Sequence, residues 1–141
     1  MINKIPDLIA FDCDGTLVND DGIVTPDTKD AVTKMSDYSK MAFASGRSPE
    51  GVKKVKEDLG LPETFNFDIC FNGALTVDNQ ADMIIDKHFI KLKDVKNIID
   101  EARKYNVPFY LVGIDKIYSE EEITEEKVEA GRNRKYRKKY R

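Results

Sequence analysis

Asp12 and Asp14 stand one residue apart where the apolar run Leu8-Ile9-Ala10-Phe11 gives way to Gly15. Side chains along an extended segment repeat with a period of two, so residues i and i+2 face the same side and both carboxylates can converge on one substrate. One could attack phosphorus and form an aspartyl-phosphate, while the other handles the leaving-group proton and then activates water. Two neighbouring anions facing a phosphate also need a cation. Magnesium suits that place, being a hard ion that takes carboxylate and carbonyl oxygens, keeps several waters and bridges to substrate phosphate. The pair therefore reads as a phosphoryl-transfer site, with Asp12 and Asp14 as candidate catalytic residues and metal ligands. A calcium loop does not fit, because Leu17 and Ile23 occupy the places of its glycine and its glutamate.

The elements that must position this pair are legible in outline. A nearly continuous hydrophobic strand is expected to be parallel and buried on both faces, and open α/β sheets place their chemistry just outside the carboxyl ends of such strands. Strand, helix, strand, helix and strand then follow in order, which implies parallel pairing with right-handed crossovers. Asn19-Asp20-Asp21-Gly22 predicts a loop or small hairpin near the site. Thr25 is a suitable N-cap before Pro26, with Ala31, Val32 and Met35 as the buried stripe of the first helix. Ser48 and Pro49 repeat the signal, Val52, Val55 and Leu59 form the stripe, Gly60 closes the helix and Pro62 prevents its continuation. Leu75-Thr76-Val77 and Met83-Ile84-Ile85 around Asp78-Asn79 form a hairpin pattern. Leu92 to Tyr105 has the clearest helical period, and Val107 to Val112 reads as a strand, with Gly113 to Tyr118 turning into another.

Asp12-Cys13-Asp14-Gly15-Thr16-Leu17 after a hydrophobic strand resembles the first motif of the haloacid dehalogenase superfamily of phosphatases. Met41-Ala42-Phe43-Ala44-Ser45-Gly46-Arg47 is similar to the second motif, a strand ending in a hydroxyl and a backbone amide that hold phosphate. Ile69-Cys70-Phe71-Asn72-Gly73-Ala74 looks like the third strand with the Asn-Gly-Ala turn of the Cof-like branch, whose cap is of type IIB. The resemblance implies a Rossmann-like three-layer α/β/α core, here its N-terminal part, with the start of an α+β cap. It implies an Mg2+-dependent hydrolysis of small phosphate monoesters, of a sugar phosphate or nucleotide, with Asp12 as nucleophile and Asp14 as acid and base. The ion would rest on the Asp12 carboxylate and the Asp14 backbone carbonyl. Cys13, Gly15 and Thr16 in the turn, with Ser45 and Gly46, are the expected phosphate-binding residues. Arg47, Asn72 and Gly73 lie on the substrate side. For Arg47 a salt bridge on the loop before the helix is an equal reading, and Asn72-Gly73 could serve only as a turn.

The lysine of the family's third motif and the acidic fourth motif are not found in these 141 residues. None of Lys127, Lys135, Lys138 and Lys139 begins a helix after a core strand. The expected organisation is therefore the N-terminal part of a core over 1–80, a partial cap over 81–119 and a charged tail over 120–141. A catalytically impaired remnant that binds phosphate or a protein stands as the alternative function. A half-core should also expose an unpaired sheet edge and self-associate through it.

Composition is that of a globular chain, 40% hydrophobic and 35% charged, and no apolar run approaches a membrane span. Met1 to Pro6 lacks a basic region followed by an apolar one, so a cytoplasmic location is expected and no membrane partner. Arg132 to Arg141 holds seven Lys or Arg residues, and without them the formal charge of −3 would be −10. That tail is the sole feature favouring nucleic acid, and a solvated tail is the preferred reading. The expected partner is a small phosphorylated metabolite. Cys13 and Cys70 fall in predicted core strands and read as buried free thiols.

Overall fold

In the computed structural model, residues 5–61 and 65–120 are described. The chain divides into two compact units between Ile90 and Lys91. The division lies ten residues beyond the expected one at 80/81, because the strand expected to open the cap belongs to the first unit. The expected tail, 120–141, lies outside the described residues except for Glu120.

The first unit runs β1 (Leu8–Phe11), α1 (Pro26–Ser36), β2 (Lys40–Ala44), α2 (Pro49–Leu59), β3 (Phe65–Cys70), β4 (Leu75–Asp78) and β5 (Met83–Lys87). Its five strands form one sheet in sequence order. β1, β2 and β3 pair in parallel, while β4 and β5 are added antiparallel. The parallel part follows from the two helical crossovers, and the antiparallel part from the short connections after Cys70 and Asp78.

Both helices start as their caps dictate. Thr25 Oγ1 accepts from the Thr28 amide at 3.2 Å, Ser48 Oγ accepts from the Gly51 amide at 3.2 Å, and a proline follows each cap. Gly60 closes α2 at φ 71°, a left-handed conformation in which a side chain would be strained.

One face of the sheet carries the core. Ile9, Phe11, Met41 and Phe43 face the same side in the β1–β2 register, and Phe43 stacks on Phe65 with ring centroids 4.1 Å apart. Val32 of α1 and Val52, Val55 and Leu59 of α2 join the same buried cluster. Both helices of this unit thus pack on one face of the sheet, as the N-terminal part of a Rossmann-like α/β core requires. Met41 donates its amide to Asn66 Oδ1 at 3.0 Å, which satisfies the strand where its register with β3 shifts.

Two expectations about burial change. β1 was expected to be covered on both faces, yet Leu8 and Ala10 on one face are exposed, Leu8 by 47%, while Ile9 and Phe11 on the other are half-buried. Only Val32 of the predicted α1 stripe is buried; Ala31 and Met35 line an open apolar cleft of about 710 Å³ beside Ile5, Ile9 and Tyr38. That cleft lies by the amino end of β1, and neither Asp12 nor Asp14 lines it.

The second unit contains α3 (Leu92–Lys104), β6 (Tyr110–Val112) and β7 (Ile117–Ser119), the two strands pairing antiparallel. Among the described residues no helix is long and apolar enough to cross a membrane.

Candidate active site

β1 ends at Phe11, and the next residues alternate as a strand continued would: Asp12 exposed, Cys13 buried, Asp14 exposed. Burial of Cys13 between the aspartates therefore turns both carboxylates outward at the carboxyl end of β1. A tight loop follows. The Cys13 carbonyl accepts from the amides of Thr16, Leu17 and Val18 at 3.3, 3.0 and 2.8 Å, and Gly15 donates its amide to Val18 O at 2.7 Å. Gly15 sits at φ 82°, which its lack of a Cβ permits, and the buried Leu17 and Val18 pin the loop to the core. The next residues close on themselves, with Asn19 Oδ1 accepting from the Asp21 and Ile23 amides at 3.1 and 2.9 Å.

The end of β2 supplies the facing loop. Ser45 is buried, accepts the Arg47 amide on its hydroxyl at 3.2 Å, and lies in hydrogen-bond contact with the Cys13 thiol. Burial nevertheless pushes that thiol above its ordinary value and keeps it protonated. Arg47 then reaches across to the first loop. Its Nη2 and Nε donate to Asp14 Oδ1 at 2.8 Å and Oδ2 at 3.2 Å, a fork onto both carboxylate oxygens. Its Nη1 stands 3.4 Å from the Gly51 carbonyl in the first turn of α2. The hydrogen bonds to Asp14 raise the guanidinium pKa above its ordinary value against the opposing effect of burial.

β3 delivers the third loop. The Phe71 amide donates to Arg47 O and the Asn72 amide to Ser45 O, both at 3.0 Å, so the loops after β2 and β3 are tied together. Phe71, Asn72 and Gly73 all have positive φ, 52°, 56° and 93°. Asn72 and Gly73 are residue types that accept this conformation; Phe71 is not, and the two cross-loop hydrogen bonds hold it there. Gly46 allows a close approach, since a Cβ there would lie 3.0 Å from Asn72 Oδ1 and the amide would have to shift.

The structure thus gathers Asp12, Cys13, Asp14, Ser45, Gly46, Arg47 and Asn72 at the carboxyl ends of the parallel strands β1, β2 and β3. Arg47 pairs with Asp14 across the two loops, a partner outside its own loop. The Thr16 amide, expected with that of Cys13 to face phosphate, donates within the loop to the Cys13 carbonyl at 3.3 Å. The sequence reading missed Gly51, whose missing side chain makes room for the stem of Arg47: a Cβ would stand 3.3 Å from Arg47 Cβ. A glycine in the first turn of an otherwise ordinary helix, four residues after an arginine, was the available signal.

Among the described residues no group of three or more His, Cys, Asp or Glu side chains could hold a metal ion. The donor set at the aspartates is two residues of hard oxygen. That fits a small hexacoordinate cation that retains most of its waters, and does not fit an all-protein cage.

The family model of the haloacid dehalogenase-like hydrolases matches residues 9–141. A putative phosphatase of Bacillus subtilis, YxeH, is 27% identical over 113 residues, which cover 79% of this chain and 42% of that protein. The crystal structure of TM0651 from Thermotoga maritima superposes with a TM-score of 0.73 at 28% identity, over 91% of this chain and 47% of that one. The subclass IIB sugar phosphatase BT4131 shares the fold, with a TM-score of 0.66 at 24% identity over 81% of this chain and 44% of the other. The chain thus spans less than half the length of the relatives it matches. Motif loops at the ends of β1 and β2, a Rossmann-like α/β sheet and a model match over nearly the whole sequence agree, and the chain belongs to the haloacid dehalogenase-like hydrolases.

Proposed function

We propose that the protein is a phosphatase acting on small phosphate monoesters, of the sugar phosphate or nucleotide kind, through an aspartyl-phosphate on Asp12. The observation that carries this reading is the pair of outward carboxylates flanking buried Cys13 at the carboxyl end of β1, facing a loop that holds a guanidinium. Asp12 attacks phosphorus in line, and Asp14 delivers a proton to the departing alcohol and later takes one from the attacking water. The Gly46 loop and Arg47 offer positive charge and hydrogen-bond donors to the phosphoryl oxygens, where positioning and charge stabilisation dominate the barrier. The Asp12 carboxylate and the Asp14 backbone carbonyl would hold Mg2+, which when bound supplies charge neutralisation at the phosphoryl group. Similarity to a relative named a sugar phosphatase and to one named a putative phosphatase supports the substrate class. A cytoplasmic location belongs to the same proposal.

Phosphate release from an aryl phosphate by the purified chain, with and without magnesium, tests the reading. Metal-dependent release that is lost in Asp12→Asn is expected. Release no faster than in Asp12→Asn, by a sample whose amide spectrum shows it folded, would leave the chain as a phosphate-binding remnant.

Among the described residues the outer edge of β1 has no partner strand, which also supports pairing with a second copy through Leu8 and its neighbours. Sedimentation should show a mass that rises with concentration and falls back in Leu8→Lys; a constant monomer mass would remove this part of the proposal.

A further inference from the structure

We infer that Arg47 is a relay, held on Asp14 while the site is empty and handed to the phosphate when substrate arrives, so that Asp14 is released to face the ester oxygen. The inference rests on the phosphatase reading above and deepens it, because it assigns a positioning role to a residue that the reading leaves as one donor among several.

Four features of the geometry carry it. First, the fork engages both oxygens of Asp14, at 2.8 and 3.2 Å. A carboxyl group held at both oxygens by a cation is poorly disposed to give a proton to a third group, so proton delivery needs the fork to open. Second, the pair is not locked in the interior: the Arg47 side chain is 29% exposed and that of Asp14 60%, and an ion pair so close to water exchanges partners at low cost. Third, the guanidinium has one further contact, Nη1 to Gly51 O at 3.4 Å, at the outer limit of a hydrogen bond. Its stem lies against the open side of Gly51, where no Cβ obstructs it. Fourth, the two residues sit on different loops, after β1 and after β2, and those loops open at the carboxyl ends of these parallel strands. A dianion next to the guanidinium offers a stronger charge-assisted partner than a single carboxylate, which sets the direction of transfer.

Arg47 therefore does two things in sequence: it neutralises Asp14 before substrate binds, when two bare carboxylates would repel the incoming anion, and it neutralises the phosphoryl oxygens afterwards. A static salt bridge would do only the first.

A double-mutant cycle on inorganic phosphate binding, in magnesium-containing buffer and followed by amide chemical shifts of the full chain, tests the coupling, and the Arg47 Nε–H resonance of the native chain separates the two: it should move on adding phosphate if the guanidinium is handed over, and an unmoved resonance at saturating phosphate would overturn the relay. Asp14→Ala frees Arg47 for phosphate and should tighten binding about five- to tenfold when Arg47 is present, and less than about twofold in the Arg47→Met background. Equal tightening in both backgrounds would show simple removal of a like charge and would overturn the relay, as would an Arg47→Met variant that binds phosphate as well as the native chain. Where Arg47→Met fails to give a folded spectrum, Arg47→Lys takes its place, since lysine keeps the charge and cannot fork. Failure of the native chain to bind phosphate would instead strike at the phosphatase reading itself, and the relay would fall with it.

Discussion

Lys56 of α2 and Asp68 of β3 form an ion pair inside the first unit: Nζ to Oδ2 is 2.6 Å, and each side chain is 8% exposed. The second oxygen of Asp68, Oδ1, has no hydrogen-bond partner among the described residues. Lysine occupies the buried stripe of α2 beside Val52, Val55 and Leu59, so the helix can dock on the sheet only with an anion opposite.

Removing one member should therefore cost far more than removing both. Lys56→Met leaves a buried carboxylate without its cation and is expected to lower stability by about 3–5 kcal/mol. The double variant Lys56→Met, Asp68→Leu should recover most of that loss. Urea denaturation of the three proteins checks this, and a double variant as unstable as the single would show that the site needs the charges themselves.

Burial raises the thiol of Cys70 from 9.0 to about 11, with the negative charge of Asp68 adding to the effect. A thiol whose folded value exceeds its unfolded one favours the folded state below the unfolded pKa and loses that advantage as pH rises through the folded one. Cys70 should thus make stability fall between pH 9 and 11 by roughly 2–3 kcal/mol, and Cys70→Ala should lose that share of the slope while the buried Cys13 keeps its own, of the same sign. In the folded protein at pH 8 Cys70 should resist alkylation, and it should react promptly in urea.

Gly46 and Asn72 are fitted to each other. A methyl group at Gly46 would meet Asn72 Oδ1 at 3.0 Å, so Gly46→Ala should displace the loop after β3 and cost about 1–3 kcal/mol. Asn72→Gly removes the obstructing amide and keeps a residue suited to φ 56°, and adding it should restore much of the loss. Thermal melting of the two single variants and the double decides the matter.

Gly51→Ala separates helix stability from the placing of Arg47. Alanine favours a helix interior by about 1 kcal/mol over glycine, while its Cβ would press on Arg47 Cβ at 3.3 Å. The melting temperature should hold or rise as phosphate affinity falls. Unchanged affinity would show that the stem of Arg47 does not need this space.

Much of this protein is written locally. Thr25-Pro26 and Ser48-Pro49 mark the helix starts because caps and proline act within one turn of chain, and Gly60 marks an end for the same reason. The alternation about Cys13 predicts that Asp12 and Asp14 share a side, since the period of an extended chain is a property of the backbone. What needed the tertiary structure is whatever depends on a distant partner. Leu8-Ile9-Ala10-Phe11 looks like an interior strand, yet its exposure is set by what packs on each face, and Leu8 and Ala10, opposite the core-facing Ile9 and Phe11, are exposed. Ala31 and Met35 have helical spacing, but burial needs something packed above them, and they line an open cleft. The antiparallel strands beyond Cys70 join the first sheet because the turn at Phe71–Gly73 reverses the chain, a consequence of three positive φ angles that no hydrophobic period records. Arg47 could be read as a ligand residue or as half of a salt bridge until the fold brought Asp14, thirty-three residues away, to 2.8 Å from its guanidinium. Sequence determined which groups are available for chemistry, because composition and spacing are local; only the packing of separate loops decided which of them meet.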